Sequence, residues 1–259
     1  MNENLIVERL GRTAILTLNH PPVNALTVAT LTELRRQVDI LNDDPEVRAL
    51  VLTGAGDQFF SPGADIELFH APRSGHGKAE ALLQALNDAA LALVQFNGLT
   101  LAALNGYALG GGLSLAMACD VRIAERQIEL GLPEGRLGLP PCGGSTCRLP
   151  QLVGDGWARR MALTGEALRA ERALRIGLVD ECVDAGFAKI VAISVADQAS
   201  HTGPAAARAA KTLLQAERLP ALRAAMEAEL AAARARIDSA EQQEGAQAFF
   251  ERRAPGWQQ

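Results

Sequence analysis

The sequence has no long uninterrupted apolar run and no dense block of basic residues. Its 259 residues are 48% hydrophobic and carry a formal net charge of -5, yet no window approaches the roughly 20 consecutive apolar residues that cross a bilayer. Without a basic block, nucleic acid and anionic membranes are disfavoured as partners and a small molecule is favoured. We therefore expect a soluble protein with one main core.

Cysteine is scarce, and its spacing matches neither a zinc motif nor a redox motif. The four cysteines are Cys119, Cys142, Cys147 and Cys182. No CxxC or CxxxH arrangement occurs among them, which predicts free thiols and no metal site. Residues 1–12 carry acidic and polar side chains where a signal peptide needs a basic start and an apolar run, which predicts a cytoplasmic protein.

Strand-like and helix-like patterns alternate along the first part of the chain. Thr27 can cap a helix that buries Leu31, Leu34, Val38 and Leu41, because these residues are spaced by three or four positions. The alternation predicts an α/β layered core. The other predicted elements are strands at 5–9, 13–18, 47–53, 99–104 and 121–124, and helices at 80–96 and 113–118.

Helices are predicted to dominate from about residue 154 onward, with one strand candidate at 177–182. The alanine-rich stretch 204–253 has a break near Leu219–Pro220, which predicts two or three amphipathic helices. Two interpretations of this stretch stay open. It is either a simple bundle or a module that docks on neighbouring subunits or closes over a ligand.

Two glycine-containing turns that follow apolar strands are the most informative local features. They are residues 59–66 (FFSPGADI) and 105–113 (NGYALGGGL), the second leading into a helix. Small residues let a ligand approach main-chain N–H groups, and a helix start adds partial positive charge. Neither turn has the dinucleotide fingerprint or the GK[ST] ending of a phosphate loop. Together they indicate an anion or oxyanion site.

A third segment, residues 130–145, places Glu134 among apolar residues, glycines and prolines. The carboxylate is either an exposed loop charge or a buried group. If it is buried, its pKa is raised and it can transfer protons near neutral pH.

In combination, GADI (63–66), NGYALGGGLSLAMACD (105–120) and LPEGRLGLPP (132–141) resemble the enoyl-CoA hydratase/isomerase, or crotonase, superfamily. The resemblance extends to GAQAFFERRAPGW (245–257) and so covers nearly the whole chain. It implies an α/β fold: a crotonase-like spiral of ββα units over 1–200 with an acyl-CoA site. A C-terminal helical trimerisation region over 201–259 is expected to follow, in a homotrimer or a dimer of trimers.

The resemblance also implies roles for residues of the site. The backbone N–H groups of Ala64 and Gly111 would bind the thioester oxygen as negative charge develops on it. Coenzyme A would enter as part of the substrate, and no tightly bound cofactor is expected. The implied coenzyme A contacts are the main chain of Pro62, Ala64 and Ile66 with Asp65 bracing the loop, and Phe249 and Arg252 of a neighbouring subunit.

The sequence departs from the family's two-glutamate pattern. The second glutamate aligns with Glu134, but the first aligns with Ser114, so Glu134 must transfer protons alone. Ser114 either orients a water or only makes room for a bulky acyl group. Cys142 stands where the family has a glycine at a helix start whose N–H can hold the catalytic water. A nucleophilic role for the Cys142 thiol is disfavoured because no histidine is nearby in sequence.

The leading hypothesis is therefore a hydratase that adds water to a 2-enoyl-CoA with a single catalytic glutamate. The alternatives are a double-bond isomerase, a hydroxycinnamoyl-CoA hydratase-lyase and a non-catalytic acyl-CoA-binding paralogue. Hydroxycinnamoyl-CoA hydratase-lyases have the same serine and glutamate pair but also use tyrosines, and Tyr107 is the only tyrosine here. A thioesterase is disfavoured because no GxSxG elbow or triad is recognisable.

Overall fold

The computed structural model describes residues 4–70 and 76–258. The strands in these ranges are β1 Leu5–Leu10, β2 Thr13–Leu18, β3 Ala49–Gly54, β4 Phe59–Ser61, β5 Leu99–Leu104, β6 Tyr107–Leu109, β7 Val121–Glu125, β8 Glu129–Gly131, β9 Ala167–Arg169 and β10 Glu181–Val183. The helices are α1 Val28–Asp43, α2 Glu67–His70, α3 His76–Gln95, α4 Gly111–Ala118, α5 Ser145–Thr164, α6 Ala170–Arg175, α7 Ala188–Ser200, α8 Pro204–Gln215, α9 Arg218–Arg234 and α10 Ala240–Phe250. Two 3-10 turns lie at Glu134–Leu137 and Gly256–Gln258.

The strands form two sheets, and the chain passes repeatedly from one to the other. The larger sheet has the order β1-β2-β3-β5-β7-β10 and the smaller sheet the order β4-β6-β8-β9. Each of the pairs β3–β4, β5–β6 and β7–β8 therefore contributes one strand to each sheet, and helical segments follow. Except for the β1–β2 and β8–β9 pairs, neighbouring strands run parallel. This succession of ββα units is the spiral that the sequence motifs led us to expect.

The core lies on both faces of the larger sheet. Leu50 and Leu52 of β3 belong to the cluster that includes residues of α1 and α3. Val51 of the same strand packs with Ala192 of α7 on the opposite face. Because both faces are covered, the strand is apolar at nearly every position rather than at alternate ones.

Several elements match the sequence predictions closely. The hairpin of β1 and β2 is confirmed. Thr27 caps α1, since its Oγ1 accepts a hydrogen bond from Thr30 N–H at 3.1 Å. The other predicted strands and helices of the first part also exist, although β3 starts at Ala49 and α3 at His76.

Other elements differ from the prediction. The strand predicted at 177–182 is wrong over most of its length, because β10 comprises only Glu181–Val183. Leu178 and Val179 are buried without being in a strand, so the apolar run reflects a buried loop. The C-terminal stretch forms three helices, but the break lies at residues 216–217 and Pro220 sits in the first turn of α9. Proline is tolerated there because the first-turn N–H groups have no partner within the helix.

The burial of β3 leads to a test of the fold. We expect Leu52→Ala to lower the free energy of unfolding by about 2–5 kcal/mol, because Leu52 is fully buried and truncation leaves a cavity. Ile40→Ala on α1 is the control, since Ile40 is 49% exposed. Denaturant titration at one protein concentration measures both, and equal losses would contradict the assigned core.

Candidate active site

The two glycine-containing turns contact each other in the structure. A Cβ placed on Gly63 would lie 2.9 Å from Leu109 O and 3.1 Å from Gly111 N. Gly63 has φ +99°, a conformation that L side chains rarely adopt. The contact follows from the fold, because β4 and β6, which precede the two turns, are parallel neighbours.

Leu26 fixes the direction of the Ala64 peptide. Leu26 N–H donates to Gly63 O at 2.8 Å, and Asp65 N–H donates to Leu26 O at 3.1 Å. Since successive groups of an extended strand point to opposite sides, Ala64 N–H points away from Leu26. No acceptor for this N–H occurs among the described residues.

Gly111 supplies a second unpartnered N–H group. It is the first residue of α4, and the N–H groups of a first helical turn have no acceptor within the helix. No other acceptor for Gly111 N–H occurs in the part of the chain that the structure describes. Two such donors beside each other, one of them at a helix N-terminus, suit an oxygen atom that gains negative charge.

Glu134 lies against the same turn. A Cβ on Gly110 would be 3.2 Å from Glu134 Oε1. The residue as a whole is partly exposed, but its Oε2 is buried and has no hydrogen-bond partner among the described residues. Burial raises the pKa of Glu134 to about 7, and the charge of Glu229 acts in the same direction. The sequence allowed either an exposed loop charge or a buried carboxylate, and the structure favours the buried carboxylate.

Ser114 is fully buried, and protein groups surround its hydroxyl. Its Oγ lies 2.7 Å from Ser145 Oγ, 3.0 Å from Cys142 O and 3.1 Å from Gly110 O. A Cβ on Gly143 would lie 2.9 Å from Ser114 Cβ, so the space beside the serine is filled by that glycine. This geometry favours a hydroxyl that ties α4 to the turn before α5 over one that orients a water.

The prediction that Cys142 lies at a helix start is wrong, because α5 begins at Ser145. Gly143 and Gly144 have φ +78° and +77° and so stand outside the helix. The Cys142 thiol is buried, and burial raises its pKa well above the usual range. A protonated thiol is a poor nucleophile. The Cys142 N–H has no acceptor among the described residues.

The loop between β4 and α2 holds the residues predicted to contact coenzyme A by its main chain. Pro62 and Ile66 flank Ala64 in this loop. Asp65 Oδ1 accepts a hydrogen bond from Glu67 N–H at 3.1 Å, at the start of α2. The Asp65 carboxylate thus bonds within its own loop.

Phe249 and Arg252 lie at the end of α10, and both are exposed. Phe249 stacks edge-on against Phe250 at a centroid distance of 5.6 Å. The body of α10 packs on α2 and on the Glu134–Leu137 turn of its own chain: Gln242 Nε2 donates to Phe69 O at 2.8 Å. The structure thus places α10, which carries Phe249 and ends two residues before Arg252, next to two segments of the candidate site.

Three polar residues near the site were missed by the sequence reasoning: Asn87, Arg148 and Glu229. From the sequence, Glu229 was only one residue of the alanine-rich stretch 204–253, and no role was predicted for it. A signal was available, because Glu229 falls on the α9 face that carries Met226, Leu230 and Ala233, all buried. A carboxylate on such a face needs hydrogen-bond partners.

Other features lie apart from this site. Two cavities of about 670 Å³ and 340 Å³ flank α8 and share no lining residue with the predicted site residues. Over 4–70 and 76–258, no group of three or more His, Cys, Asp or Glu could hold a metal ion. No helix in those ranges is long and apolar enough to cross a membrane.

Known proteins match this chain in fold and over nearly its whole length. Residues 10–259 match the family model described as enoyl-CoA hydratase/isomerase. The chain is 36% identical to crotonyl-CoA hydratase of Syntrophomonas wolfei subsp. wolfei, over 97% of this chain and 96% of that protein. The structure of Pseudomonas aeruginosa DspI matches with 43% identity and a TM-score of 0.82, over 99% of this chain and 97% of that one. An enoyl-CoA hydratase from Mycobacterium avium subsp. paratuberculosis K-10 matches with 29% identity and a TM-score of 0.87, over 98% of each chain.

The fold and these matches together define an enzyme of the class that acts on coenzyme A thioesters. The chain belongs to the enoyl-CoA hydratase/isomerase family. The expected fold class, a crotonase-like α/β spiral, is confirmed.

The contact between the two turns can be tested with one methyl group. We expect Gly63→Ala to lower kcat/KM with an enoyl-CoA by about 100-fold or more, because the methyl would push Gly111 N–H out of place. Gly56→Ala is the matched control: Gly56 also has positive φ, at +78°, but an added Cβ meets nothing within 4 Å. Steady-state kinetics measure the loss of catalysis, and the melting temperature measures any loss of stability from placing alanine at a positive φ. Equal kinetics in the two variants would contradict the assigned oxyanion site.

Proposed function

We propose that this enzyme hydrates a 2-enoyl-CoA to the 3-hydroxyacyl-CoA with Glu134 as its single catalytic carboxylate. The observation that carries the proposal is the position of Glu134 Oε1 against the Gly110–Gly111 turn, beside two unpartnered N–H groups. The similarity to crotonyl-CoA hydratase supports it.

In the proposed reaction the thioester oxygen sits between Ala64 N–H and Gly111 N–H. The Glu134 carboxylate takes a proton from water as the water oxygen bonds to the β-carbon, and the electron pair of the double bond moves toward the thioester as an enolate. Glu134 then gives that proton to the α-carbon and is ionised again. One oxyanion donor typically contributes roughly 100- to 1000-fold in rate, and proton transfer about 100- to 10000-fold.

A double-bond isomerase is the second candidate. The Ser114 contacts favour it, because that hydroxyl is held by protein groups and no carboxylate stands at the first glutamate position. One base then suffices to move a proton between the α- and γ-carbons. Hydration of a 2-enoyl-CoA in ¹⁸O-water adds the label to the product, whereas isomerisation of a 3-enoyl-CoA does not. Failure of both reactions would leave a non-catalytic acyl-CoA-binding protein.

A phenolic substrate, as in a hydroxycinnamoyl-CoA hydratase-lyase, has less support. The Tyr107 ring packs against Phe59 with a centroid distance of 5.7 Å, and no other tyrosine occurs in the sequence. A simple acyl chain is the substrate class we propose, in fatty acid metabolism in the cytoplasm.

The proposal includes coenzyme A contacts and an assembly. Main-chain groups of Pro62, Ala64 and Ile66 would bind the adenine. Phe249 and Arg252 would reach the coenzyme A of a neighbouring subunit, where the forked donors of arginine suit a phosphate. This requires a homotrimer or a dimer of trimers, which sedimentation can measure. We expect activity without an added metal or cofactor.

The role of Glu134 can be tested by removing its charge. We expect Glu134→Gln to lower kcat for 2-enoyl-CoA hydration by about 100- to 10000-fold with little change in substrate binding, because the amide cannot accept the proton. Glu181→Gln is the control, since Glu181 is exposed at the far edge of the larger sheet. The conjugated enoyl absorbance follows turnover, and an active Glu134→Gln enzyme would remove Glu134 from the mechanism.

The pH dependence follows from the same group. The reaction starts from ionised Glu134, and burial raises the pKa of that carboxyl to about 7. We therefore expect kcat/KM to rise with pH and to reach half its maximum near pH 7 rather than near the usual glutamate value. A rate already constant above pH 5 would show that another group acts as the base.

A further inference from the structure

The 142–146 turn, which includes the first two residues of α5, is held at nearly every peptide by hydrogen bonds to side chains. Cys142 O accepts hydrogen bonds from the hydroxyls of Ser114 and Ser145, at 3.0 Å and 2.8 Å. Gly143 N–H donates to Asn87 Oδ1 of α3 at 3.1 Å. Gly143 O accepts from Arg148 Nη2. Two consecutive glycines would otherwise leave this turn many conformations.

Glu229 makes the largest share of these contacts. Its Oε2 accepts from Gly144 N–H at 2.7 Å, and its Oε1 accepts from Thr146 N–H at 2.7 Å and from Thr146 Oγ1 at 2.6 Å. Glu229 is only 4% exposed. Burial of a carboxylate is costly unless it is paired or hydrogen-bonded, and here three donors compensate it. The carboxylate also lies at the N-terminus of α5, where the helix dipole favours negative charge.

The turn also lies next to the site. Leu139 N–H donates to Glu134 O at 3.1 Å, so the segment between Glu134 and Cys142 is short and tied at its start. A Cβ on Gly143 would lie 2.9 Å from Ser114 Cβ, on the helix that begins with Gly111. A shift of the turn would therefore move the surroundings of both Glu134 and α4.

We propose that Glu229 is a positioning residue of this enzyme, whose carboxylate fixes the 142–146 turn beside Glu134 and the start of α4. As far as catalysis is concerned, this inference rests on the proposed hydration. Glu229 touches no reacting atom in this scheme. It acts through the turn, and through the negative charge that it places near Glu134.

The charge gives a readout that packing alone would not change. The charged or titratable groups that act on this part of the site are Glu134, Glu229, the thiol of Cys142 and Arg148 of α5. The charge of Glu229 raises the pKa of Glu134. Burial raises the pKa of Glu229 itself, and the positive charge of Arg148 lowers it. Removing the charge of Glu229 should therefore lower the pKa of Glu134.

The experiment compares Glu229→Gln, which removes the charge, with Glu229→Asp, which keeps the charge on a shorter side chain. Glu227→Gln is the matched control, because Glu227 lies on the exposed side of the same helix. We expect both Glu229 variants to lose about 10- to 100-fold in kcat/KM, as small misplacements at an active site do. Only Glu229→Gln should also move the midpoint of the pH profile to lower pH. Glu227→Gln should match the wild type.

A second measurement keeps the test independent of turnover. Carbon-13 titration of the Glu134 carboxyl, assigned with Glu134→Gln, should show a lower midpoint in Glu229→Gln than in the wild type. If the wild type hydrates no enoyl-CoA but this midpoint still moves, the proposed function fails and the electrostatic role of Glu229 stands. If the Glu229 variants lose melting temperature only, with kinetics and titration within about twofold and 0.2 pH units of the control, Glu229 is structural and the proposal is overturned.

Should the Glu229 variants not fold, Thr146→Val removes one of the three hydrogen bonds and keeps the side-chain shape. We expect it to lower kcat/KM by about 2- to 10-fold, which corresponds to one hydrogen bond. Wild-type kinetics in Thr146→Val would then overturn the proposal.

Discussion

The parallel pairing of three very short strands determines where the chemistry of this protein lies. In the smaller sheet β6 has β4 and β8 as its neighbours, and all three run in the same direction. Ala64, Gly111 and Glu134 each follow the end of one of these strands by two or three residues. The carboxyl ends of parallel strands meet at one edge of a sheet, which is where ligands commonly bind in α/β proteins. Two main-chain donors and one carboxylate are thereby brought together from segments far apart in sequence.

The sequence predicted none of these three strands: residues 59–61 and 107–109 were predicted as parts of glycine-containing turns, and the structure shows them as β4 and β6. Glycines in GADI and NGYALGGG marked the positions where the main chain must be approachable, and Glu134 stood out among apolar neighbours. Strands of three residues are too short to show an alternating pattern. Their pairing depends on the larger sheet, whose long apolar strands were predicted and which sets the spacing of the successive ββα units. The two turns and Glu134 could therefore be predicted as candidates, and the family resemblance implied that they act together, but the sheet that brings them into contact could not be predicted.

The polar groups behind the site were harder to predict for a different reason. In an alanine-rich helix a glutamate usually faces solvent, and the periodicity alone does not tell which turn a buried one contacts. Contacts of Glu229 with Gly144 and Thr146 span more than 80 positions. The helix was predicted to start at Cys142, but α5 begins at Ser145 because Gly143 and Gly144 are in the left-handed conformation. A single sequence does not reveal the φ angle of a glycine. Ser114 belongs to the same hydrogen-bond network. Its small side chain is therefore explained by the packing of the 142–146 turn as well as by room for a substrate.

The packing of α10 on the site has a consequence for biosynthesis. Gln242 bonds to Phe69 across 173 positions of sequence, and α10 also contacts the turn that begins with Glu134. While the chain emerges from the ribosome, the core strands and both glycine-containing turns are complete long before α10 exists. An unfinished chain would therefore have both glycine-containing turns before α10 can pack on α2 and on the Glu134–Leu137 turn. Contacts this distant also slow folding, so newly made chains would become competent for catalysis only after the rest of the core has formed.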